Sequence, residues 1–467
     1  MLNSELKKSL ISIFGPNGFA DSKEDCLTYS YDATSLNYLP DAIVFAETAE
    51  QVSALMKLAD RHKVPIIPRG AGSGYTGGSL AVNGGIILVM EKMNRILQID
   101  QDDMFVIVEP GVITGQLHAA VEKLGLFYPP DPASMEFATI GGNIAENAGG
   151  MRAVKYGVTR NYVMGLEVVL PNGEIIQTGS RCIKDVVGYD LTNLFVGSEG
   201  TLGTITRAIL KLIPLPEAFA TAAVSFPTLS SAAKAVPEIM RQKIIPSTLE
   251  FMDKHCITAV DRYLKVGLPQ ETEAFLLIEV DGFSSELPPV LDKITAMCKS
   301  CGAIDIKVAT EVNDRARLWK IRRSITAALT CYTLKGDGED MVVPRSCIPD
   351  IIEEGERIGD RYNLLMINYG HAGDGNIHVS LAEKEIPVSD DQVELAIMEL
   401  LTAAVGMNGR IAAEHGIGCL KRNKVPLNID PPTLKLMKQM KDMMDPNGIL
   451  NPGKVFPQET NASNTEV

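Results

Sequence analysis

Residues 68–79 read Pro-Arg-Gly-Ala-Gly-Ser-Gly-Tyr-Thr-Gly-Gly-Ser, a glycine-rich loop that follows a short apolar stretch. A dinucleotide-binding turn of the Rossmann type would lead straight into a helix with periodic apolar residues. Here the loop leads into residues 84–90, Gly-Gly-Ile-Ile-Leu-Val-Met, which predict another strand. We therefore exclude a Rossmann site and expect this loop to bind its ligand in another way.

The sequence around this first loop predicts an alternation of strands and helices. Residues 42–46 and 64–68 read as strands, and 50–62 between them has helical spacing of its apolar residues. Further on, we expect a helix that starts near Thr114, with Thr114 as its N-cap, and a hairpin formed by 163–170 and 174–178. Pro214 and Pro216 mark a domain boundary, beyond which longer helices alternate with strands and glycines are few.

Two further glycine-rich segments lie in the same domain, at 139–150 (TIGGNIAENAGG) and 197–203 (GSEGTLG). Glycines let backbone N–H groups converge on phosphate without obstruction by side chains. Any one such loop is equally explained by turns that need a positive φ. Three in one domain favour a large anionic cofactor.

Composition excludes several classes of protein. The net charge is −14, which argues against a general nucleic-acid binder. No apolar run approaches the length of a membrane helix, and the N-terminus lacks the features of a signal peptide, so we expect a cytoplasmic protein, with peripheral membrane contact left open. Cys298 and Cys301 form a CxxC pair, which we interpret as ordinary reduced cysteines at a helix end because no second ligand pair lies nearby.

Half of the six histidines fall in two short glycine-rich motifs. His371 and His378 bracket HAGDGNIH, and His415 follows Glu414 in EHGIG. In one straight strand, residues seven apart would point to opposite faces, but the intervening Gly-Asp-Gly can turn the chain and bring both imidazoles together. Two imidazoles and a carboxylate suit zinc, iron(II) or manganese. The alternative is histidines satisfied by hydrogen bonds in the core.

The three glycine-rich segments resemble the FAD domain of the vanillyl-alcohol oxidase superfamily, and residues 445–456, DPNGILNPGKVF, resemble its closing segment. Within it, the chain is most similar to the branch of D-lactate dehydrogenases, D-2-hydroxyglutarate dehydrogenases and the glycolate oxidase FAD subunit. The resemblance implies an α+β fold: an FAD-binding domain of two α+β subdomains (1–216), a substrate or cap domain with an antiparallel sheet (217–410), and a C-terminal segment (411–467) that returns to the flavin. We expect the tail 457–467 to be disordered.

The resemblance also implies which residues hold FAD. No histidine lies in the first loop to tether the flavin, so we expect the FAD to be non-covalent. The residues implied in cofactor binding are Pro68, Arg69, Gly70, Gly72, Ser73, Gly74, Thr76, Gly77, Gly78, Pro132, Thr139, Gly141, Gly142, Asn143, Asn147, Gly149, Gly150, Glu199, Gly200, Gly203 and Asn451.

For the chemistry, the resemblance implies that His371, His378 and Glu414 bind a divalent metal and that His415 acts as base on the substrate hydroxyl. It also implies that an arginine and a threonine four residues later hold the substrate carboxylate, a spacing that Arg322 and Thr326 match. Lys335 is the candidate for a further lysine, although the connecting segment is shorter than in hydroxyglutarate relatives. From the residues alone, a lone helical arginine is equally a solvated surface charge.

The expected function is oxidation of a D-2-hydroxy acid by hydride transfer to FAD, with D-lactate first and glycolate or D-2-hydroxyglutarate as alternatives. Iron–sulfur spacing and a Rossmann NAD site are missing from the sequence, so we expect an external acceptor, such as an electron-transferring flavoprotein or an iron–sulfur subunit. Two other hypotheses are a non-haem iron oxygenase, which leaves the flavin loops unexplained, and a non-catalytic FAD subunit of a larger redox complex.

Overall fold

The computed structural model describes residues 2–458 and divides the chain into two compact units. The first unit takes the residues up to Ala148, the stretch Val158–Pro214 and the described residues from Glu414 onward. The second takes Gly149–Gly157 and Leu215–Ala413. Of the tail 457–467 that we expect to be disordered, residues 459–467 lie outside the described part of the chain.

Short strands and helices alternate up to Pro214, and α6 is the helix in this part of the chain that belongs to the second unit. In chain order the elements are α1 (Ser4–Phe14), β1 (Phe19–Ala20), α2 (Lys23–Thr28), β2 (Ala42–Phe45), α3 (Ala49–His62), β3 (Ile66–Arg69), β4 (Ile86–Val89), β5 (Ile96–Asp100), β6 (Phe105–Val108), α4 (Thr114–Glu122), β7 (Leu126–Phe127), α5 (Ile140–Glu146), α6 (Ala153–Tyr156), β8 (Val163–Val169), β9 (Ile175–Gly179), α7 (Leu191–Phe195), β10 (Thr204–Lys211) and β11 (Ile213–Pro214).

 

Beyond Pro214 the helices are longer, and the strands up to β18 build the second unit. In chain order the elements are β12 (Ala218–Phe226), α8 (Leu229–Arg241), β13 (Thr248–Asp253), α9 (Lys254–Leu264), β14 (Ala274–Gly282), α10 (Leu287–Ser300), β15 (Asp305–Ala309), α11 (Val312–Arg323), α12 (Ile325–Leu329), β16 (Leu334–Val342), α13 (Ile348–Tyr362), β17 (Leu364–His371), β18 (Asn376–Glu383), α14 (Asp390–Gly406) and α15 (Pro431–Met444), of which α15 belongs to the first unit.

The first unit holds a four-stranded sheet of order β1-β2-β4-β3 and a five-stranded antiparallel sheet of order β5-β6-β10-β8-β9. In the first sheet β2, β4 and β3 run parallel. Strands β2 (AIVF) and β4 (IILV) are apolar without alternation, as expected for parallel strands covered on both faces. Helix α3 packs its apolar stripe against this sheet, and its N-cap Thr48 accepts a hydrogen bond from the Gln51 amide.

The second unit is built on one antiparallel sheet of order β15-β12-β14-β13-β17-β18-β16. Its interior strand β14 (AFLLIEVDG) is buried along almost its whole length. On one face, Phe275 and Leu277 of this strand pack with Trp319 and Ile321 of α11 and with residues of α9. This face also carries the histidines described below, so α11 lies on the sheet beside them.

The structure confirms the α+β fold class, and it corrects one detail of the sequence analysis. Thr114 is the first residue of α4 and not its N-cap, because its hydroxyl donates to the Ala138 carbonyl and Ile113 occupies the cap position. The passage of 149–157 into the second unit was not anticipated. Among the described residues, no helix is both long and apolar enough to cross a membrane.

Candidate active site

The first glycine loop begins where β3 ends, at Arg69. The Arg69 guanidinium is buried under the loop, 5.3 Å from the centre of the Tyr29 ring. Gly72 has a φ of +67°, and a Cβ there would lie 2.2 Å from an Arg69 terminal nitrogen. A Cβ on Gly70 would lie 2.2 Å from the Thr139 hydroxyl. Larger residues therefore do not fit this loop in its present shape.

The second and third glycine segments meet the first through a few side chains. Residues 140–146 form α5, whose N-cap Thr139 accepts a hydrogen bond from the Gly142 amide. Asn451 donates to the carbonyls of Gly78 (2.9 Å) and Glu199 (2.7 Å), so it joins the first segment to the third. Gly149 and Gly150, which the resemblance also assigned to the cofactor, belong to the second unit.

This region of the first unit has the properties of a site for a polar ligand. Among the described residues, several buried side-chain atoms here have no hydrogen-bond partner within the protein, including Arg69 Nε, Ser79 Oγ, Glu146 Oε2 and Asn451 Oδ1. Buried polar atoms are nearly always satisfied, so unsatisfied ones indicate a missing partner. The set offers both donors and acceptors beside glycine-rich loops, and this fits a bound FAD.

Buried charges lie close to the same loops. Burial, and then the neighbouring carboxylates of Glu199 and Asp32, raise the pKa of Glu146 well above its usual value. Burial lowers the pKa of Lys454 to about 8, and its ammonium donates to the Leu80 carbonyl at 2.6 Å. The first unit therefore places ionisable groups with shifted pKa values beside the glycine loops.

The segment 414–418 packs against the first glycine loop within the same unit. The His415 carbonyl accepts a hydrogen bond from Thr76 Oγ1 (3.1 Å), and its ring stacks on that of Tyr75, with centroids 5.1 Å apart. Glu199 accepts hydrogen bonds from the amides of Ile417 (2.8 Å) and Gly418 (2.6 Å). His415 is thus held beside the loop expected to bind the flavin.

In the second unit, strand register places polar side chains in two rows on one face of the sheet. Directly opposed residues of antiparallel strands share a face. One row runs across four strands as Glu250, His371, Asn376 and Val342, and the next as Met252, Tyr369, His378 and Asp340. His371 and His378 are therefore diagonal neighbours, because residues 372–375 turn β17 back into β18.

Each histidine has a buried carboxylate beside it. The ring centroids of His371 and His378 are 5.3 Å apart. His371 Nδ1 lies 2.6 Å from Glu250 Oε1, and His378 Nδ1 lies 3.7 Å from Asp340 Oδ1. A carboxylate on one ring nitrogen leaves the other nitrogen to act as a metal ligand, which is the usual arrangement of metal-binding histidines. The donor set fits a divalent metal.

Arg322 contacts this cluster through Glu250. Its Nε donates to Glu250 Oε2 at 2.6 Å, and its side chain is only 11% exposed, so it is not a solvated surface charge. Burial alone would raise the pKa of Glu250, but the charges and hydrogen bonds of His371 and Arg322 hold it below its usual value.

The other two residues suggested for the substrate carboxylate have no described contact with Arg322. A break at Ser324 separates α11 from α12, and Thr326 is exposed on α12. Lys335 Nζ lies 2.9 Å from Glu383 Oε1 on the adjacent strand, and no described contact joins it to Arg322.

Sequence reasoning missed Glu250 and Asp340. Glu250 is one of two acidic residues in the strand TLEFMD, and Asp340 lies in the polar run KGDGED. The signal for Glu250 was an acidic residue between two apolar neighbours in a strand, since such a residue needs a buried partner.

Two family profiles match the chain. Residues 40–179 match the FAD binding domain, and residues 215–455 match the C-terminal domain of FAD linked oxidases. The chain is 43% identical to the glycolate oxidase subunit GlcD of Bacillus subtilis, over 98% of both chains. It is 36% identical to the D-lactate dehydrogenase of Anaerostipes hadrus, over 89% of both. The D-lactate dehydrogenase of Archaeoglobus fulgidus is 37% identical, over 97% of this chain and 98% of the relative.

Solved structures agree in fold. A p-cresol methylhydroxylase with bound substrate has a TM-score of 0.79 at 20% identity, over 97% of this chain and 96% of that one. The 4-ethylphenol oxidase of Gulosibacter chungangensis has a TM-score of 0.77 at 19% identity, over 98% of both. These likenesses establish a vanillyl-alcohol-oxidase-type fold. Together with the profiles and relatives, they show that the chain belongs to the FAD-linked oxidases, as an FAD-dependent oxidoreductase of the D-lactate dehydrogenase and glycolate oxidase type.

Proposed function

We propose that this protein oxidises a D-2-hydroxy acid, with D-lactate as the leading substrate, to the 2-oxo acid. The observation that carries the proposal is the contact of Glu250 with both Arg322 and His371. A 2-hydroxy acid carries a carboxylate next to its hydroxyl. A guanidinium beside a metal-binding histidine suits such a pair of groups, because arginine matches the planar carboxylate.

The residues of the chain have distinct roles in this proposal. Arg322 binds the substrate carboxylate, with Thr326 and Lys335 as further contacts, and His415 accepts the proton of the hydroxyl. The ring of Tyr75, stacked on His415, restrains the orientation of this base.

Two bound groups would supply the remaining chemistry. FAD, held by the glycine loops, would accept the α-hydrogen as a hydride. A divalent metal (zinc, iron or manganese), held by His371, His378 and Glu414, would act as a Lewis acid toward the hydroxyl. The FAD is non-covalent in this proposal, since the first loop has no histidine.

We further propose that electrons leave through an external protein acceptor, either an electron-transferring flavoprotein or an iron–sulfur subunit. All eight cysteines are free and dispersed, which supports an acceptor outside this chain. Glycolate is the second candidate substrate, and the name of the Bacillus subtilis relative supports it. The same name supports a role as the FAD subunit of a larger complex.

The test is anaerobic mixing of the purified protein with D-lactate, L-lactate, glycolate and D-2-hydroxyglutarate while the visible flavin absorbance is followed. We expect D-lactate to bleach the flavin faster than its L-enantiomer. His415→Asn should retain the flavin but slow bleaching by about 100-fold or more. Flavin that none of the four acids bleaches would refute the proposal.

A further inference from the structure

Glu250 contacts both the proposed substrate anchor, Arg322, and a proposed metal ligand, His371. It lies in β13, and its side chain is completely buried. Its two carboxylate oxygens have different partners: Oε2 accepts from Arg322 Nε, and Oε1 contacts His371 Nδ1, both at 2.6 Å. Strand register fixes the second contact, since Glu250 and His371 are directly opposed on β13 and β17.

The protonation of the pair follows from hydrogen-bond chemistry. An ionised carboxylate can only accept, so His371 donates through Nδ1. The ring nitrogen that can face a metal is then Nε2. In the same way, use of Nε by Glu250 assigns the terminal nitrogens of Arg322 to the substrate carboxylate.

We propose that Glu250 is a positioning residue whose carboxylate fixes the distance between Arg322 and His371. This distance selects substrates whose hydroxyl is on the carbon next to the substrate carboxylate. This inference rests on the proposed function. If Glu250 sets the positions of both Arg322 and His371, the substrate anchor and the metal site cannot move independently of each other. Loss of Glu250 should therefore weaken metal binding and substrate binding together.

The same helix supplies a matched control. Helix α11 carries Arg315 two turns before Arg322, and Arg315 pairs at 2.8 Å with Glu279, a buried glutamate of β14. Glu279 also accepts hydrogen bonds from Trp319 Nε1 and Thr221 Oγ1. Both glutamates are buried partners of an arginine from α11, but the described contacts of Glu279 include no histidine.

The experiment compares Glu250→Gln with Glu279→Gln in the full-length, FAD-loaded protein. Affinity for Mn²⁺ and Zn²⁺ is measured by metal titration after chelator treatment, without substrate. The KM for the 2-hydroxy acid that bleaches the wild-type flavin is measured separately, together with the rate on 3-hydroxypropionate, whose hydroxyl is one carbon farther from the carboxylate. We expect Glu250→Gln to weaken metal affinity by about 10- to 100-fold and to raise KM about tenfold or more. It should also reduce the ratio of the rate on the 2-hydroxy acid to the rate on the 3-hydroxy acid. Glu279→Gln should change none of these by more than about threefold.

Two results would overturn the inference: Glu250→Gln leaving metal affinity and KM within threefold of wild type, or both variants weakening metal affinity and raising KM to the same extent. If Glu250→Gln does not fold, Arg322→Lys replaces it, since this variant keeps Glu250 and every proposed metal ligand. Metal affinity reduced at least threefold in Arg322→Lys would support the coupling, and unchanged affinity would refute it. A wild-type flavin that no 2-hydroxy acid reduces would refute the proposed function instead, and the metal titrations would still test the contact of Glu250 with His371.

Discussion

Replacement of Arg322 by alanine should damage both stability and substrate binding, and the structure gives the size of each effect. The substitution removes a guanidinium that is 11% exposed and leaves Glu250 buried with one partner fewer. Breaking one side of a buried ion pair costs about 3–5 kcal/mol. Because His371 still contacts Glu250, we expect the lower end, about 3 kcal/mol.

The same substitution should raise KM by about 10- to 100-fold, since a hydrogen bond to a charged group contributes about 1.5–3 kcal/mol. The assays are urea unfolding followed by tryptophan fluorescence, which reports on Trp319 of the same helix, and steady-state kinetics with D-lactate. Arg323→Ala is the control, because Arg323 is the next residue and is exposed. It should change stability by no more than about 0.5 kcal/mol. If Arg322→Ala behaves like Arg323→Ala in both assays, the assignment of Arg322 to the site is wrong.

Three further predictions concern the cofactor and the pH response. Acid precipitation should release the flavin into the supernatant, and colour retained in the pellet would contradict a non-covalent FAD. Gly72→Ala should lower the ratio of flavin absorbance to protein absorbance, because its Cβ would meet the Arg69 guanidinium at a positive φ, whereas Gly406→Ala, which has open space, should not. Burial raises the pKa of Asp253 from 3.8 to about 6, so its contribution to stability is complete below pH ~4 and is lost as the pH rises through 6. Urea unfolding between pH 4 and 6 should therefore show a loss of up to about 3 kcal/mol that Asp253→Asn lacks, and equal slopes for the two proteins would disprove the assignment.

The sequence predicted features that depend on local patterns. Helix α3 followed from the spacing of its apolar residues, and the hairpin that joins His371 to His378 followed from the glycines between them. Both features are formed by residues that are close in sequence, so a local pattern is enough to predict them.

The rest depends on register between strands far apart in sequence. Glu250 and His371 are separated by 121 residues, and only the pairing of β13 with β17 brings them together. The spacing of Arg322 and Thr326 suggested one helical surface, but the break at Ser324 ends α11 between them. No local pattern predicts which strands pair or where a helix stops against a sheet.

The bridge formed by Asn451 has a consequence for biosynthesis. Its side chain joins the carbonyls of Gly78 and Glu199, and its backbone amide donates to the Ile66 carbonyl at 2.8 Å. The ribosome must therefore translate as far as Asn451 before the first and third glycine segments can form these hydrogen bonds. A nascent chain that stalls after Pro214 contains all three glycine-rich segments but lacks the hydrogen bonds of Asn451. Flavin loading is accordingly expected only after Asn451 has been synthesised, and a stop codon introduced just before Asn451 should yield protein that is depleted of cofactor.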